Sequence, residues 1–348
     1  MIKHRIEIQN LRGISILAVL CFHLWPKNFP NGFLGVDIFF VISGYLITQQ
    51  LLRNVNSEFK AYLFQFYFQR IKRILPSAIS ILAIFLVACN FLLGAFTLVQ
   101  NLTEARWANL FAANWYFLNN NLNYFASGNL SLFTHYWSLA IEEQFYLLWP
   151  IIIFFNKKKQ LVPFAFGLIS LAIYLYTDYP AYFFGTFQRF WELFFGSMIA
   201  LAPKERQISV NPKVLWPFLI VLLLPITIFP EKMATLTTVL FAALLINSLG
   251  NATKKGPLYF LGQVSFSLYL VHYPVIKIYD AYFEKSDSVL RTIVILVAIA
   301  IITLLNYLVI EKPFRFRNYV SRENLFLGSC FAMLIFQTLL IIAKGRYV

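Results

Sequence analysis

The chain has 348 residues, of which 59% are hydrophobic and only 13% are charged. About a quarter of the residues of a soluble domain are charged, so this composition excludes an ordinary soluble protein and favours a helical membrane protein. The net charge of +14 does not indicate nucleic-acid binding, because the Lys and Arg residues lie in short segments between apolar runs, where such residues orient a membrane protein.

The apolar runs predict an all-α integral membrane protein with about 10 to 11 transmembrane helices. A cytoplasmic N-terminus places most of the 29 basic residues in inside segments. We predict one membrane domain over residues 1–348, with membrane lipids as its solvent. The predicted spans are Leu11–Trp25, Phe33–Leu52, Ser77–Val99, Phe133–Phe155, Gln160–Tyr176, Phe183–Leu201, Val214–Phe229, Met233–Leu249, Leu258–Ile276, Val289–Ile310 and Leu325–Ala343.

Two long connections interrupt these predicted spans. The first, Arg53–Pro76, is rich in Lys and Arg and is predicted to be an inside loop. The second, Gln100–Leu132, is predicted to lie outside and to contain one short interfacial helix from Glu104 to Leu118.

Polar and ionisable side chains inside the predicted spans are the candidate functional residues, because such side chains are costly in lipid and mark sites. Arg189 and Glu192 are three residues apart and so share one helical face, while His135 and Glu142 are two helical turns apart, about 10 Å along the axis. The set comprises His23, Asp37, His135, Ser138, Glu142, Glu143, Arg189, Glu192, Ser265, Ser267 and His272.

His23 has a catalytic and a structural interpretation, and its sequence position leaves both open. A neutral imidazole held by a carboxylate such as Asp37 would take a proton from an attacking hydroxyl. Alternatively, His23 hydrogen-bonds to a neighbouring helix and Asp37 caps a helix N-terminus near Gly35.

The other polar residues also have structural alternatives. Arg189 and Glu192 would form a buried ion pair that holds two helices in register, and His272 would cap the end of its span. Glu142 and Glu143 need a cation or water inside the helix bundle, and Arg12 and Arg189 are the candidate cations.

Arg70 and Arg73 in the segment FQRIKRILP are three residues apart, which is the spacing of a clamp for a phosphorylated ligand on one face of a helical turn. The alternative is an ordinary positive-inside loop. The chain has no His-x-x-Glu-His or Cys-x-x-Cys spacing, so no metal site is predicted.

These segments together resemble the membrane-bound acyltransferase-3 family, the O-acetyltransferases of bacterial surface polysaccharides. Within it, the chain is similar to the stand-alone form, which lacks the extracytoplasmic SGNH domain. The resemblance covers nearly the whole chain, in the family's order. The matching segments are LRGISILAVLCFH, GVDIFFVISGYLIT, FYFQRIKRILP, HYWSLAIEEQFYLLWP, RFWELFFG, GQVSFSLYLVHYP and EKPFR.

The resemblance implies transfer of an acetyl group from cytoplasmic acetyl-CoA, the acyl donor, to a hydroxyl of a cell-surface or lipid-linked polysaccharide. His23 would be the catalytic histidine, Arg12 its essential partner, and Arg70 with Arg73 the coenzyme-binding pair. Asp37, Glu142 and Glu143 would assist catalysis.

The same resemblance implies a multi-pass protein of the bacterial inner membrane. The protein would acylate the glycan itself or hand the acyl group to a separate extracytoplasmic transferase. The competing interpretation is a transporter or flippase of a glycan intermediate, in which the ionisable cluster would relay protons; it predicts a repeat symmetry that the sequence does not show.

Overall fold

A computed structural model describes residues 6–126, 130–156, 161–202, 216–217, 230–248, 255–283, 288–316 and 322–346. Every regular element in these ranges is helical, as the composition predicts. The α-helices are α1 Ile6–Leu24, α2 Gly35–Asn54, α3 Phe59–Leu92, α4 Gly94–Asn109, α5 Ala113–Asn119, α6 Tyr136–Asn156, α7 Leu161–Tyr176, α8 Ala181–Phe184, α9 Thr186–Leu201, α10 Glu231–Ser248, α11 Pro257–Tyr282, α12 Val289–Leu305, α13 Lys312–Phe316 and α14 Arg322–Gly345.

Five helical segments within the described ranges are long and apolar enough to cross a membrane. This finding confirms a multi-pass helical membrane protein in outline. The shorter apolar helix α7 comes close to the required length. The five are Pro30–Asn54, Phe59–Leu92, Tyr136–Asn156, Val289–Phe316 and Leu327–Gly345.

The backbone contacts divide the chain into two compact units, each made of two stretches. Unit 1 comprises Met1–Ser57 and Gln144–Ser265, and unit 2 comprises Glu58–Glu143 and Phe266–Val348.

Unit 1 is held by close helix packing at glycines. A Cβ on Gly44 of α2 would lie 2.7 Å from the carbonyl carbon of Leu193 on α9, and one on Gly196 of α9 would lie 2.9 Å from the Tyr45 nitrogen on α2. Gly262 of α11 approaches the Gln9 backbone of α1 in the same way. Only glycine permits such contact, so these glycines place α2 against α9 and α1 against the first turns of α11.

Unit 2 is held by polar links between helices. The Asn109 side chain on α4 donates to Gln337 Oε1 on α14 over 3.1 Å. Arg291 on α12 donates two hydrogen bonds of 2.8 Å to the two carboxylate oxygens of Asp280 on α11. A bidentate pair of this kind fixes the angle between two helices as well as their distance.

Two predicted connections differ from the structure. Most of the predicted loop Arg53–Pro76 belongs to α3, which begins at Phe59 and has Pro76 in its interior. The predicted helix Glu104–Leu118 is two helices, because Phe111 has a φ of 51° and ends the regular backbone between α4 and α5. The predicted span Val214–Phe229 lies almost wholly outside the described residues.

Candidate active site

His23 lies in the last turn of α1 and is half-buried. Its Nδ1 is 2.9 Å from the Val19 carbonyl oxygen, and its ring meets that of Phe22 edge-on with centroids 4.9 Å apart. A carbonyl oxygen only accepts hydrogen bonds, so Nδ1 carries the proton of this bond. The neutral ring therefore has its lone pair on Nε2, which is the tautomer that a general base needs.

Arg12 lies on the same continuous helix as His23 and is buried, with 6% of its surface exposed. The two positions are eleven residues apart in the sequence, which corresponds to about 16 Å along the helix axis. The two side chains therefore act at different depths of α1.

Asp37, Arg189 and Glu192 form a buried charged cluster in unit 1. Arg189 Nη2 bonds Asp37 Oδ1, and Arg189 Nε is 3.1 Å from Glu192 Oε1. Asp37 and Glu192 are fully buried. The predicted ion pair between Arg189 and Glu192 is present, and Asp37 joins it to form a cluster of three residues.

Two expectations for Asp37 are wrong. Its carboxylate pairs with Arg189 rather than with His23, because a buried guanidinium is the stronger partner for a buried carboxylate. The alternative role as helix cap also fails, since Leu34 occupies the N-cap position of α2 and Asp37 lies inside the first turn. His23 is oriented by the carbonyl of Val19, on its own helix.

Arg70 and Arg73 project from α3 in unit 2 and are half-buried. Both of their charges act on Glu143, in the first half of α6. This finding corrects the expectation that Arg12 or Arg189 would be the cation beside Glu143. Glu143 Oε1 accepts no hydrogen bond within the described part of the chain, so the N–H groups of the two arginines do not donate to that oxygen.

His135 and His272 lie side by side in unit 2, with ring centroids 5.6 Å apart, and both are fully buried. His135 Nε2 is 3.2 Å from the Leu270 carbonyl oxygen, and His272 Nδ1 is 2.7 Å from the Tyr269 carbonyl oxygen. The Tyr269 hydroxyl donates to the His135 carbonyl over 2.7 Å and pairs with Ser138 Oγ, also at 2.7 Å. The carbonyl bonds fix the orientation of both rings.

Two details of this histidine pair differ from the sequence expectations. The sequence predicts that His135 and Glu142 lie two turns apart on one helix. His135 instead lies just before the first residue of α6, so the two residues do not share a helix. His272 lies in the interior of α11, which continues to Tyr282, and therefore does not cap a helix end. Glu142 itself is half-buried on α6.

Ser267 takes part in a further buried network of unit 2. Its hydroxyl donates to Glu311 Oε2 over 2.6 Å and accepts from Asn306 Nδ2 over 2.8 Å. Asn306 and Glu311 are the first and last residues of a π-helical turn between α12 and α13. By contrast, Ser265 Oγ donates to the Gly262 carbonyl of its own helix.

Glu104 is a buried carboxyl that the sequence analysis did not single out. Ser131 donates to its Oε2, Gln100 donates to its Oε1 over 3.0 Å, and 2% of its surface is exposed. It lies on α4, outside the membrane-length helices, and burial raises its pKa to about 7. Its neighbours Leu102 and Ala105 are also buried. These apolar residues on either side of Glu104 are the feature of the sequence that indicates its burial.

The polar candidates therefore fall into separate groups within their own units. Unit 1 holds His23, Arg12, Ser265 and the cluster of Asp37 with Arg189 and Glu192. Unit 2 holds the other candidate residues. Those are Arg70, Arg73, His135, Ser138, Glu142, Glu143, Ser267 and His272.

The acyltransferase domain of the acyltransferase-3 family matches residues 5–311. The chain belongs to this family. Membership confirms the resemblance that the sequence motifs carry.

Similar proteins cover most of the chain. A "Putative O-acetyltransferase" of Staphylococcus aureus (strain COL) is 31% identical over 343 residues, which cover 88% of this chain and 57% of that protein. The O-acetyltransferase OatA of Staphylococcus aureus (strain MRSA252) is 26% identical over 380 residues, which cover 98% of this chain and 63% of OatA. The chain thus spans about three fifths of the length of these curated relatives. No solved structure matches it significantly.

Proposed function

We propose that this chain transfers an acetyl group from acetyl-CoA to a hydroxyl of a cell-surface or lipid-linked glycan. Membership in the acyltransferase-3 family and the names of the similar proteins support an O-acetyltransferase. The observation that carries the chemistry is the hydrogen bond from His23 Nδ1 to the Val19 carbonyl, because it leaves the basic lone pair on Nε2.

His23 acts in this proposal as the general base. Its Nε2 takes the proton of the acceptor hydroxyl while the hydroxyl oxygen bonds to the thioester carbonyl carbon. The carbon–sulfur bond then breaks, and the proton passes to the departing thiolate, so the products are the O-acetyl ester and the coenzyme thiol. A half-buried imidazole on a rigid helix is suited to this step, since its ring orientation is fixed before the substrate arrives.

Arg70 and Arg73 bind the phosphate groups of the donor in this proposal. Their spacing on one face of α3 supports the assignment, because guanidinium groups match phosphate oxygens in a fork geometry. Glu143 lies within electrostatic range of both, and its negative charge offsets part of their mutual repulsion when no donor is bound.

We further propose that the protein spans the inner membrane of a bacterium with its N-terminus in the cytoplasm. The donor is then bound on the cytoplasmic side and the acceptor lies outside. The protein either acylates the glycan directly or passes the acetyl group to a separate extracytoplasmic transferase. The distribution of basic residues supports this orientation.

The test of the base is transfer of radioactive acetyl groups from acetyl-CoA to endogenous glycan in membrane vesicles. We expect His23→Gln, which removes the base, to abolish transfer while the purified protein keeps its unfolding temperature. Asn28→Ala changes an exposed residue close to His23 in the sequence and serves as the matched control, with transfer unchanged. Normal transfer by His23→Gln would refute the assignment of the base.

The test of the donor site uses the same vesicles. We expect the double variant Arg70→Gln and Arg73→Gln to lose transfer at low acetyl-CoA and to recover part of it at high acetyl-CoA, because binding is weakened. Lys60→Gln removes an exposed cation from the same helix and should leave transfer unchanged. A double variant with an unaltered dependence on acetyl-CoA would contradict the donor site, and transport of a glycan without any acetyl transfer would favour the flippase alternative.

A further inference from the structure

The EKPFR segment is a sequence motif that the proposed mechanism does not use. Its arginine, Arg315, lies on the short helix α13, directly after the π-helical turn Asn306–Glu311. Both α13 and the π-helical turn pack against α3, the helix that carries Arg70 and Arg73. π-Helical turns often occur where a helix must present a functional side chain.

The network of Ser267, Asn306 and Glu311 holds Arg315 in place. Glu311 is 1% exposed, and its Oε2 accepts the Ser267 hydroxyl over 2.6 Å. Its other oxygen, Oε1, is 3.5 Å from Arg315 Nη1. The hydrogen bond from Ser267 fixes the Glu311 carboxylate, and the ion pair with that carboxylate positions the Arg315 guanidinium. The Arg315 side chain remains 17% exposed.

The charge of Arg315 acts unfavourably on Arg73 and on Arg70. Three guanidinium groups thus gather in a poorly hydrated region, where like charges repel more strongly than in water. Glu311 pairs with Arg315, and the charges of Arg70 and Arg73 act on Glu143, which adjoins Glu142. Guanidinium groups gathered in this way match the oxygens of phosphate groups.

We propose that Arg315 joins Arg70 and Arg73 in one binding site for the phosphate groups of an anionic ligand. If the proposed function is correct, that ligand is the coenzyme portion of the acyl donor. The headgroup of an anionic lipid presents the same phosphate chemistry, so the experiment separates the two sources. Arg315 acts here as a binding residue, held by Glu311 and Ser267.

The experiment measures binding of coenzyme A and of inorganic pyrophosphate to the purified full chain in nanodiscs of phosphatidylcholine. We expect Arg315→Gln to weaken binding of both probes by about tenfold or more, the scale of one lost charge-assisted contact. Arg315→Lys keeps the charge without the planar fork and should bind with intermediate affinity. Lys312→Gln removes an exposed cation from the same short helix and should bind as the wild type does.

The outcomes separate this proposal from the proposed function. Equal coenzyme affinity in wild type and Arg315→Gln, with weaker binding in Arg70→Gln, would overturn the role of Arg315 and leave the donor site intact. Arg315-dependent binding of pyrophosphate without binding of coenzyme A would support the phosphate site and refute the donor.

Repeating the assay in nanodiscs with added phosphatidylglycerol tests the lipid source. Loss of pyrophosphate binding there in the wild type would assign the site to a lipid headgroup. Misfolding of Arg315→Gln would show as a lower unfolding temperature, and Arg315→Lys would then be the test variant. Wild-type affinity of Arg315→Lys for coenzyme A and pyrophosphate would overturn the need for a guanidinium fork.

Discussion

Gly44→Ala tests the packing that holds the charged cluster of unit 1 together. The new Cβ would lie 2.7 Å from the Leu193 carbonyl carbon and 2.9 Å from its Cα, both of them backbone atoms. Carbon atoms in contact are normally about 3.5 to 4.0 Å apart, so α2 and α9 would have to separate by about 1 Å. A side chain could rotate away, but a helix backbone cannot.

Two opposing effects set the size of the change. Overpacking of a close helix contact costs about 1 to 3 kcal/mol, and more where both partners are backbone. Alanine recovers up to about 1 kcal/mol because it is the better helix former. The cost of the backbone contact is larger than the gain in helix propensity, so we expect a net loss of about 2 kcal/mol in the free energy of unfolding. Asp37 on α2 and Arg189 on α9 lie on the helices that separate, so their ion pair lengthens as well.

Thermal unfolding in detergent measures the effect, and three other glycines provide a graded series. Gly196→Ala meets the Val41 backbone at 2.9 Å and should destabilise as much as Gly44→Ala. Gly167→Ala meets only side-chain atoms of Phe194, the nearest at 3.3 Å, and should cost less. Gly328→Ala on α14 meets nothing within 4 Å and should leave stability unchanged or raise it. Equal unfolding temperatures for Gly44→Ala and Gly328→Ala would refute the close approach of α2 and α9.

Two further predictions concern buried charge. Burial raises the pKa of Glu104 from its ordinary 4.5 to about 7, so the folded chain binds this proton more tightly than the unfolded chain and loses up to about 3 kcal/mol of stability as the pH rises between those values. Glu104→Gln should therefore reduce the fall in unfolding temperature from pH 5 to pH 8. Arg189→Met should cost about 3 to 5 kcal/mol in thermal unfolding, because it leaves the Asp37 and Glu192 carboxyls buried without their cation.

Each of these predictions has its own control. Gln100→Ala removes a hydrogen bond that lowers the pKa of Glu104 but no titrating group, so its pH dependence should be at least as steep as that of the wild type. An undiminished pH dependence in Glu104→Gln would show that the stability change comes from other groups. Combining Arg189→Met with Asp37→Asn and Glu192→Gln removes the uncompensated charges and should restore part of the stability. A triple variant as unstable as Arg189→Met would contradict an electrostatic origin of the loss.

The sequence predicted the apolar helices well because lipid imposes a simple rule on them. The windows that begin at Phe33 and at Gln160 correspond closely to α2 and α7. The rule failed for α3, because the cations in its first turns led to the prediction of a loop. That stretch is helical because Tyr62 and Phe66, one turn apart, are both buried on one face, which a hydropathy average does not detect.

Only some of the contacts among the candidate residues could be predicted from the sequence. Arg189 and Glu192 are three residues apart, so their contact follows from helix geometry. The bond between Arg189 and Asp37 joins residues 152 positions apart and depends on how α2 and α9 pack, which no local pattern encodes. Arg315 was not among the predicted site residues for the same reason, because only the packing of α13 against α3 brings it near Arg70 and Arg73.

The pairings distinguish residues that maintain the fold from residues positioned to act. Asp37, Arg189 and Glu192 contact one another and are almost fully buried, which is typical of ionic groups that fix how two helices pack. His23 is different, because it is half-buried and its ring is oriented by a main-chain carbonyl that supplies no charge. Arg70, Arg73 and Arg315 are different again, because each is only half-buried and their like charges act on one another. Such repulsion is costly in low dielectric, and an anion bound among the three guanidinium groups would relieve it.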